Sequence, residues 1–221
     1  MMKNGKLNHY KKLAYIVDYP RADFFNKVKE AEKSLTGYDT VTLSIFNEFS
    51  QFLNTTPLEK VEELYLRTFD IQAVTTLDIG YVLFGDDYKR GELLVNLSKE
   101  HKKVNNDCGN ELSDYLPNLL KLLPKITDEE FRNELVEIII LPALAKIIKE
   151  FEVKSINMKN NVYKRKYKTL IEQPENYGRI FLKPLLIIQK VLEEDFNSSV
   201  LLEEHGDTSF TDSIITEIKI D

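Results

Sequence analysis

The segment TTPLEKVEELYLRTFD, residues 55–70, constrains the fold more than any other part of the chain. Thr56 is a favoured N-cap residue, Pro57 suits the first helical position, and Glu59 completes a capping box. The residues that follow on one face recur three and four positions apart: Val61, Leu64, Tyr65, Thr68 and Phe69. This spacing predicts an amphipathic helix that buries one face in a larger core.

The same period recurs along the chain, so we expect helices to build most of the fold. A second capping box, Thr127 and Glu130, precedes an apolar stripe, and Pro142 is expected to kink or split that helix. The sequence contains no convincing run of alternating strands and only eight glycines. It therefore predicts an all-α, single-domain helical bundle over residues 1–196, followed by a loosely attached or partner-dependent tail over residues 197–221.

Charge and composition narrow the function. The formal net charge is -6 with acidic and basic residues interspersed, which argues against a surface built for a phosphate backbone. The single cysteine, Cys108, cannot form an internal disulfide, and His9, His101 and His205 lack the spacing of metal ligands. The longest apolar run, Ile138 to Ala145, is far shorter than the roughly 18 residues of a membrane span. We expect a cytoplasmic protein without metal, cofactor or membrane span.

Motifs for nucleotide, zinc or redox chemistry are absent from the sequence. It contains no G-x-x-x-x-G-K-[ST], G-x-G-x-x-G, H-E-x-x-H or C-x-x-C. Cys108 lies in the turn-like segment NNDCGNE, which favours a structural role over a catalytic one. A basic, tyrosine-containing cluster is more typical of a solvated helix face on an acidic chain; it comprises Lys164, Arg165, Lys166 and Lys168. Most enzyme classes that have a recognisable sequence signature are therefore excluded.

Two acidic segments between predicted helices are the best candidates for binding groups. FGDDYKRGE, residues 84–92, contains Asp86 and Asp87. NNDCGNELSDYLP, residues 105–117, contains Asp107, Glu111 and Asp114. Both segments flank the helix predicted from Gly91 to His101 and come close if neighbouring helices pack antiparallel. Acidic side chains placed there would suit a cationic peptide.

Helix capping explains the same acidic residues without any ligand. Asp86 or Asp87 would cap the helix that follows the first segment. Ser113 or Asp114 would cap a helix from Leu119 to Leu123, with Pro117 near its first turn. Both interpretations stay open at the level of sequence.

Four segments occur in the order and approximate spacing of one known family: LAYIVDYP (13–20), FLNTTPLEKVEELYLRTFD (52–70), FGDDYKRGELLVNL (84–97) and NELSDYLPNLLKLL (110–123). In these segments the chain resembles the NarJ-like branch of the redox-enzyme maturation chaperones, also called the nitrate reductase delta subunit or TorD-like family. The resemblance covers roughly Leu13 to Phe151. Each motif is short, and the order of all four carries the resemblance.

The resemblance implies an all-helical cytoplasmic chaperone for the catalytic subunit of a molybdenum enzyme of the dimethyl-sulfoxide-reductase superfamily. Such a chaperone binds the N-terminal peptide of that subunit, often a twin-arginine signal or its remnant. It supports insertion of the molybdenum cofactor and assembly of the complex. Two other classes stay open: a small all-α metal-dependent hydrolase that uses paired carboxylates, and a helical regulatory or scaffold protein.

The family motifs transfer to individual residues of this chain. Tyr65, Phe69 and Asp70 match the motif Tyr-x-x-Thr-Phe-Asp, and Gly85, Asp86, Arg90 and Gly91 match the connector Gly-Asp-x-x-x-Arg-Gly. Asp114, Leu116 and Pro117 match the connector Pro-Asp-His-Leu-Pro. Ser113 stands where the family usually has proline, and Tyr115 stands where it usually has histidine. A tyrosine can replace that histidine as an aromatic group or hydrogen-bond donor but not in titration.

These matches and the acidic connectors define a predicted peptide-binding surface. Its residues are Tyr65, Phe69, Asp70, Asp86, Arg90, Glu111, Asp114, Tyr115, Leu116 and Pro117. We expect Asp86 and Asp114 to form an acidic rim above apolar side chains of the Tyr65 helix. Asp114 is also expected to cap the helix that follows it.

Overall fold

The computed structural model describes residues 6–152 and 179–198. Of the described residues, 70% are helical, and they include no strand, which confirms the predicted all-α, single-domain fold. An isolated antiparallel bridge pairs Asp78 with Tyr115. The basic cluster at 164–168 and the tail from residue 199 onward lie outside the described residues. Within the described ranges, none of the helices combines the length and apolar character that a membrane span requires.

The α-helices of the described residues come in the following order along the chain. They are α1 (His9–Ile16), α2 (Phe24–Ser34), α3 (Thr40–Asn54), α4 (Leu58–Phe69), α5 (Ile79–Phe84), α6 (Tyr88–Lys103), α7 (Leu116–Leu122), α8 (Glu129–Glu134), α9 (Leu141–Lys149) and α10 (Leu182–Phe196). A π-helical segment, Leu135–Ile140, joins α8 to α9, and 3-10 turns occur at Lys6–Asn8 and Leu123–Lys125.

Aspartates rather than threonines cap several of these helices. The side chains of Asp39, Asp87 and Asp128 accept hydrogen bonds from backbone amides at the starts of α3, α6 and α8. The predicted capping boxes at Thr56 and Thr127 are therefore wrong. Helix α4 begins after Pro57, and the Thr56 hydroxyl instead donates to the carbonyl of Phe52 at the end of α3.

Pro142 interrupts the helix as predicted. The segment directly before it is π-helical from Leu135 to Ile140, and α9 starts at Leu141. Proline lacks the amide proton of a regular helical turn, and its ring clashes with the carbonyl four residues earlier. A wider turn before the proline relieves that clash, so the chain stays helical through the interruption.

The core joins helices from both ends of the chain. Helix α1 packs against α2 and α7, while α10 packs against α3 and α9. Phe181, just before α10, is fully buried and makes ring contacts with Phe49, Tyr65 and Phe69. Burial of each such ring contributes roughly 1.5–3 kcal/mol, so this cluster holds α3, α4 and α10 together.

A carboxylate near the end of α10 ties the two ends of the chain together. Asp195 accepts hydrogen bonds from the hydroxyls of Tyr10 at 2.8 Å and Tyr38 at 2.9 Å. Its Oδ2 also lies 2.8 Å from Nε2 of His9. These contacts connect α1, the α2–α3 turn and α10. Helix α10 ends at Phe196, and the next residue, Asn197, adopts a left-handed conformation.

Candidate functional site

A cleft of about 440 Å³ opens between the α1–α2 turn and the segment that leads into α7. Its lining comprises Tyr15, Asp18, Tyr19, Arg21, Asp23, Phe24, Lys27, Asp107, Cys108, Gly109, Asn110, Glu111, Tyr115, Asn118 and Lys121. We call it the tyrosine cleft, after Tyr15, Tyr19 and Tyr115. It joins residues of LAYIVDYP with residues of NELSDYLP, two of the segments that carry the family resemblance.

The first wall comes from the end of α1 and the turn that follows. Pro20 cannot continue a helix, so the chain turns there and leaves Tyr15, Asp18 and Tyr19 beside the cleft. Lys27 of α2 lies 3.9 Å from the centre of the Tyr15 ring. Lys121 of α7 pairs with Asp18 at 2.9 Å. This wall therefore offers aromatic faces whose neighbouring cations already have partners.

The second wall is the segment 107–111, which precedes α7. Gly109 has a positive φ of 62°, a conformation that glycine adopts without steric cost, and it turns the chain at this point. Asp107 and Glu111 are exposed on either side of it. Neither carboxylate forms an ion pair with another described residue, so both present open negative charge.

Tyr115 links the cleft to the aromatic core. Its hydroxyl lies 2.6 Å from the hydroxyl of Tyr65, and the Tyr65 hydroxyl also donates to the carbonyl of Val17 at 3.4 Å. Burial raises the pKa of both phenols, so both stay neutral hydrogen-bonding groups at physiological pH. Tyr115 therefore acts here as a neutral hydrogen-bonding group.

The prediction that Tyr65 lies in an accessible groove is wrong. Tyr65 is only 6% exposed, and its hydroxyl finds its polar partners inside the protein. Phe69 is partly buried and packs on the Tyr65 ring with centroids 4.9 Å apart. Tyr65 therefore does not line the tyrosine cleft; it holds Tyr115, which does, through the hydrogen bond between their hydroxyls.

Asp114 is buried, and the predictions that it lies on a solvated rim and caps α7 are wrong. Its side chain is 0% exposed, and its Oδ2 accepts a hydrogen bond from the amide of Gly80 at 3.0 Å. The N-cap position of α7 is Tyr115, which makes no side-chain cap. Asp114 therefore caps α5 from another part of the chain.

Arg90 lies beside this buried carboxylate. Its Nε is 3.7 Å from Oδ2 of Asp114, its Nη2 is 3.6 Å from Oδ2 of Asp78, and its guanidinium lies 5.2 Å from the Tyr81 ring centre. Burial and the neighbouring Asp78 raise the pKa of Asp114, against the opposing effect of Arg90. Arg90, Asp78 and Asp114 therefore connect α5, α6 and the segment before α7. The contact of Arg90 with Asp114 brings the two acidic segments close together, as predicted.

The remaining predicted residues fall into two groups. Asp70, Asp86 and Glu111 are exposed, whereas Leu116 and Pro117 are buried in the first turn of α7. Of the capping alternatives, Asp87 rather than Asp86 caps α6, through a hydrogen bond from the amide of Lys89. Among the predicted set, the tyrosine cleft contains only Glu111 and Tyr115.

Sequence reasoning missed most of the cleft lining. The segment LAYIVDYP was recognised, yet Tyr15, Asp18 and Tyr19 were not identified as site residues, although clustered tyrosines beside a proline turn were a usable signal. Lys27 and Lys121 had no local signal, because their places depend on how α2 and α7 pack against α1.

No group of three or more histidine, cysteine or acidic side chains in the described ranges is arranged to hold a metal ion. A scan against models of known protein families finds no matching family for this chain. A search of curated proteins likewise finds no match.

Proposed function

We propose that this chain is a cytoplasmic maturation chaperone that binds the N-terminal peptide of a molybdoenzyme catalytic subunit. In this proposal the peptide occupies the tyrosine cleft, and binding supports insertion of the molybdenum cofactor and assembly of the complex. The chain performs no chemistry of its own. The resemblance of four ordered segments motivates the client class, and the cleft supplies a place for the peptide.

The observation that carries the proposal is the composition of the cleft. Two segments of the resemblance, far apart in sequence, meet there and present tyrosine faces opposite an acidic wall. Its volume of about 440 Å³ lies within the range of roughly 300–1,000 Å³ that is typical of ligand sites. It is large enough for a few side chains of an extended or helical peptide.

The charges of the lining favour a cationic segment. Four carboxylates and three cations line the cleft. Lys27 pairs with Asp23 and Lys121 pairs with Asp18, while Arg21 lies 6.0 Å from the Tyr19 ring centre. The carboxylates of the second wall are therefore the main open charge, and an arginine or lysine of the peptide can lie between them and a tyrosine face.

The test is calorimetric titration of a peptide into the full chain. The peptide is the first fifteen or so residues of the molybdoenzyme large subunit that co-purifies with the protein from its native source, identified by mass spectrometry. We expect binding that weakens at high salt, because rim charges are screened, with a salt-insensitive remainder from ring burial.

Two cleft variants, one control and one variant at an alternative site locate the peptide. Glu111→Gln should lower affinity by about 1 kcal/mol or less, as for other solvated charge pairs, and Tyr19→Ala should lower it further. Glu30→Gln, on the exposed side of α2 and outside the cleft, should leave affinity unchanged. Unaltered binding in both cleft variants would remove the peptide from this cleft, and loss of affinity in Asp86→Asn would place it at the α5–α6 connector instead.

A further inference from the structure

Three buried polar side chains hold the acidic wall of the tyrosine cleft in place. His101 in the last turn of α6, Asn106 just after that helix, and Asn118 in α7 are 2%, 8% and 3% exposed. None of them belongs to the predicted binding surface. Because a polar group is costly to bury without a partner, most of their polar atoms are expected to be hydrogen-bonded.

The hydrogen bonds of this group determine where the protons lie. Nε2 of His101 contacts the carbonyl of Ser113 at 2.9 Å, so it must carry a proton and donate. The amide nitrogen of Asn106 donates to the carbonyl of Asn118 at 3.1 Å and also contacts Nδ1 of His101 at 2.8 Å. Nδ1 is then the acceptor, and the imidazole is neutral.

The same group reaches the cleft wall directly. The side-chain amide of Asn118 donates to the carbonyls of Cys108 at 3.3 Å and Leu112 at 3.1 Å, the two ends of the turn that carries Glu111. The backbone amide of Asn106 also donates to the carbonyl of His101, which closes α6 in a Schellman motif. Asn118, which holds the turn, is therefore connected to the imidazole of His101 through the side chain of Asn106.

We propose that His101 is a positioning residue of the peptide site, and that its protonation releases the wall 107–111 and weakens peptide binding. The effect on binding rests on the proposed function, whereas the release of the wall does not. The group of His101, Asn106 and Asn118 acts as a latch that is closed while the imidazole is neutral.

Protonation breaks the latch because it turns an acceptor into a donor. A proton on Nδ1 would face the amide nitrogen of Asn106, which is also a donor. Rotating that amide would place its oxygen against the carbonyl of Asn118, which is also an acceptor. Neither arrangement satisfies both contacts, so the charged imidazole is accommodated only when Asn106 moves away.

Among the described residues, two charged side chains act on the imidazole of His101. Glu100 on its own helix favours the protonated form, as does the Ser113 carbonyl, whereas Lys125 in the 3-10 turn after α7 opposes it. Burial lowers the pKa of His101 more strongly than these neighbours change it. The latch is therefore closed at neutral pH and opens at acidic pH.

The test measures amide hydrogen exchange of the wall in the full chain without any peptide, between about pH 8 and pH 5. After correction for intrinsic exchange, we expect protection of the Glu111 and Tyr115 amides, which donate to Cys108 and Leu112, to fall as pH drops below about 6.5. The fall should reach up to about tenfold per pH unit until the pKa of the folded state is passed. Nitrogen NMR of wild type should show a neutral His101 with its proton on Nε2 at neutral pH.

His101→Gln separates titration from packing, because glutamine keeps one donor and one acceptor but does not titrate. Its wall protection should not depend on pH, whereas His9→Gln should keep the wild-type profile. If His101→Gln does not fold, the NMR assignment decides: an imidazolium or an Nδ1 proton at neutral pH would overturn the latch. Wild-type protection that does not change with pH would overturn it as well.

Peptide titration then separates this inference from the proposed function. A peptide that binds at neutral pH and weakens at acidic pH in wild type, but not in His101→Gln, supports both. A peptide that fails to bind at any pH contradicts the proposed function and leaves the exchange result to decide the latch. Binding that does not change while the wall loosens would show that the wall does not contact the peptide.

Discussion

Gly80 and Gly91 are helical glycines on neighbouring helices, and alanine should have opposite effects at the two positions. A methyl group at Gly80 would lie 2.8 Å from Oδ2 of Asp114, 3.1 Å from Cδ2 of Leu93 and 3.3 Å from Cγ of Arg90. A methyl group at Gly91 would meet nothing within 4 Å. Only the first glycine is therefore required by packing.

The magnitudes follow from two competing effects. Alanine stabilises a helix interior by roughly 0.5–1 kcal/mol relative to glycine. This gain applies to Gly91 in α6 and is smaller for Gly80, the second residue of α5. Overpacking at a tight site costs about 1–3 kcal/mol. At Gly80 it would also displace the Asp114 carboxylate, which accepts a hydrogen bond from the Gly80 amide. We expect Gly80→Ala to lower the free energy of unfolding by about 1–2 kcal/mol and Gly91→Ala to raise it by about 0.5–1 kcal/mol.

Urea unfolding followed by far-UV circular dichroism measures both free energies by linear extrapolation. A double variant identifies the cause: in an Asp114→Ala background the nearest clashing atom is gone, so Gly80→Ala should destabilise much less, with only the contacts to Leu93 and Arg90 remaining. The coupling energy between the two changes should be about 1–2 kcal/mol. A stabilising effect of Gly80→Ala in the wild-type background would refute the packing of Asp114 against α5.

Three further outcomes follow from other contacts. Tyr115→Phe should cost about 0.5–1.5 kcal/mol of stability, and adding Tyr65→Phe should cost little more, which a thermal-unfolding double-mutant cycle would detect as non-additivity. Burial raises the pKa of Asp195, but hydrogen bonds from His9 and Tyr10 outweigh burial and lower the pKa. Asp195→Asn should therefore lower the free energy of unfolding by roughly 1.5–3 kcal/mol in urea at neutral pH. An unchanged midpoint would contradict these charge-assisted hydrogen bonds. The fold lowers the pKa of His101, so below about pH 6.5 the unfolded chain binds more protons than the folded chain. The free energy of unfolding should therefore decrease as the pH falls from about 6.5 towards the pKa of the folded state. His101→Gln should remove this decrease in a pH series of urea unfolding.

The tyrosine cleft shows why site residues were harder to predict than helices. The predicted site residues Glu111 and Tyr115 come from the segment 105–117, and both line the cleft. Asp114 came from the same segment, yet its partner is the amide of Gly80, 34 residues away, and its carboxylate is buried. The sequence did not show which of Glu111 and Asp114 would be exposed, because the exposure of each side chain depends on which helices pack against the segment.

The helices themselves were determined by local sequence. A helical hydrogen bond joins residues four apart, so the apolar period after Pro57 and the interruption at Pro142 act within a few residues of the structure that they specify. Cap positions and helix bounds shifted. The Thr56 hydroxyl donates to the carbonyl of Phe52 at the end of the preceding helix, and the helix predicted from Leu119 to Leu123 spans Leu116–Leu122.

Tertiary structure alone decided the site. Tyr15 and Lys121 meet because α1 packs against α7, and the His101 latch exists because α6 ends beside the start of α7. Those contacts depend on the burial of whole helix faces, a sum of many weak interactions between residues that are distant in sequence. Local patterns specify which face of a helix is apolar, but the partner that covers the face is chosen by the packing of the entire core.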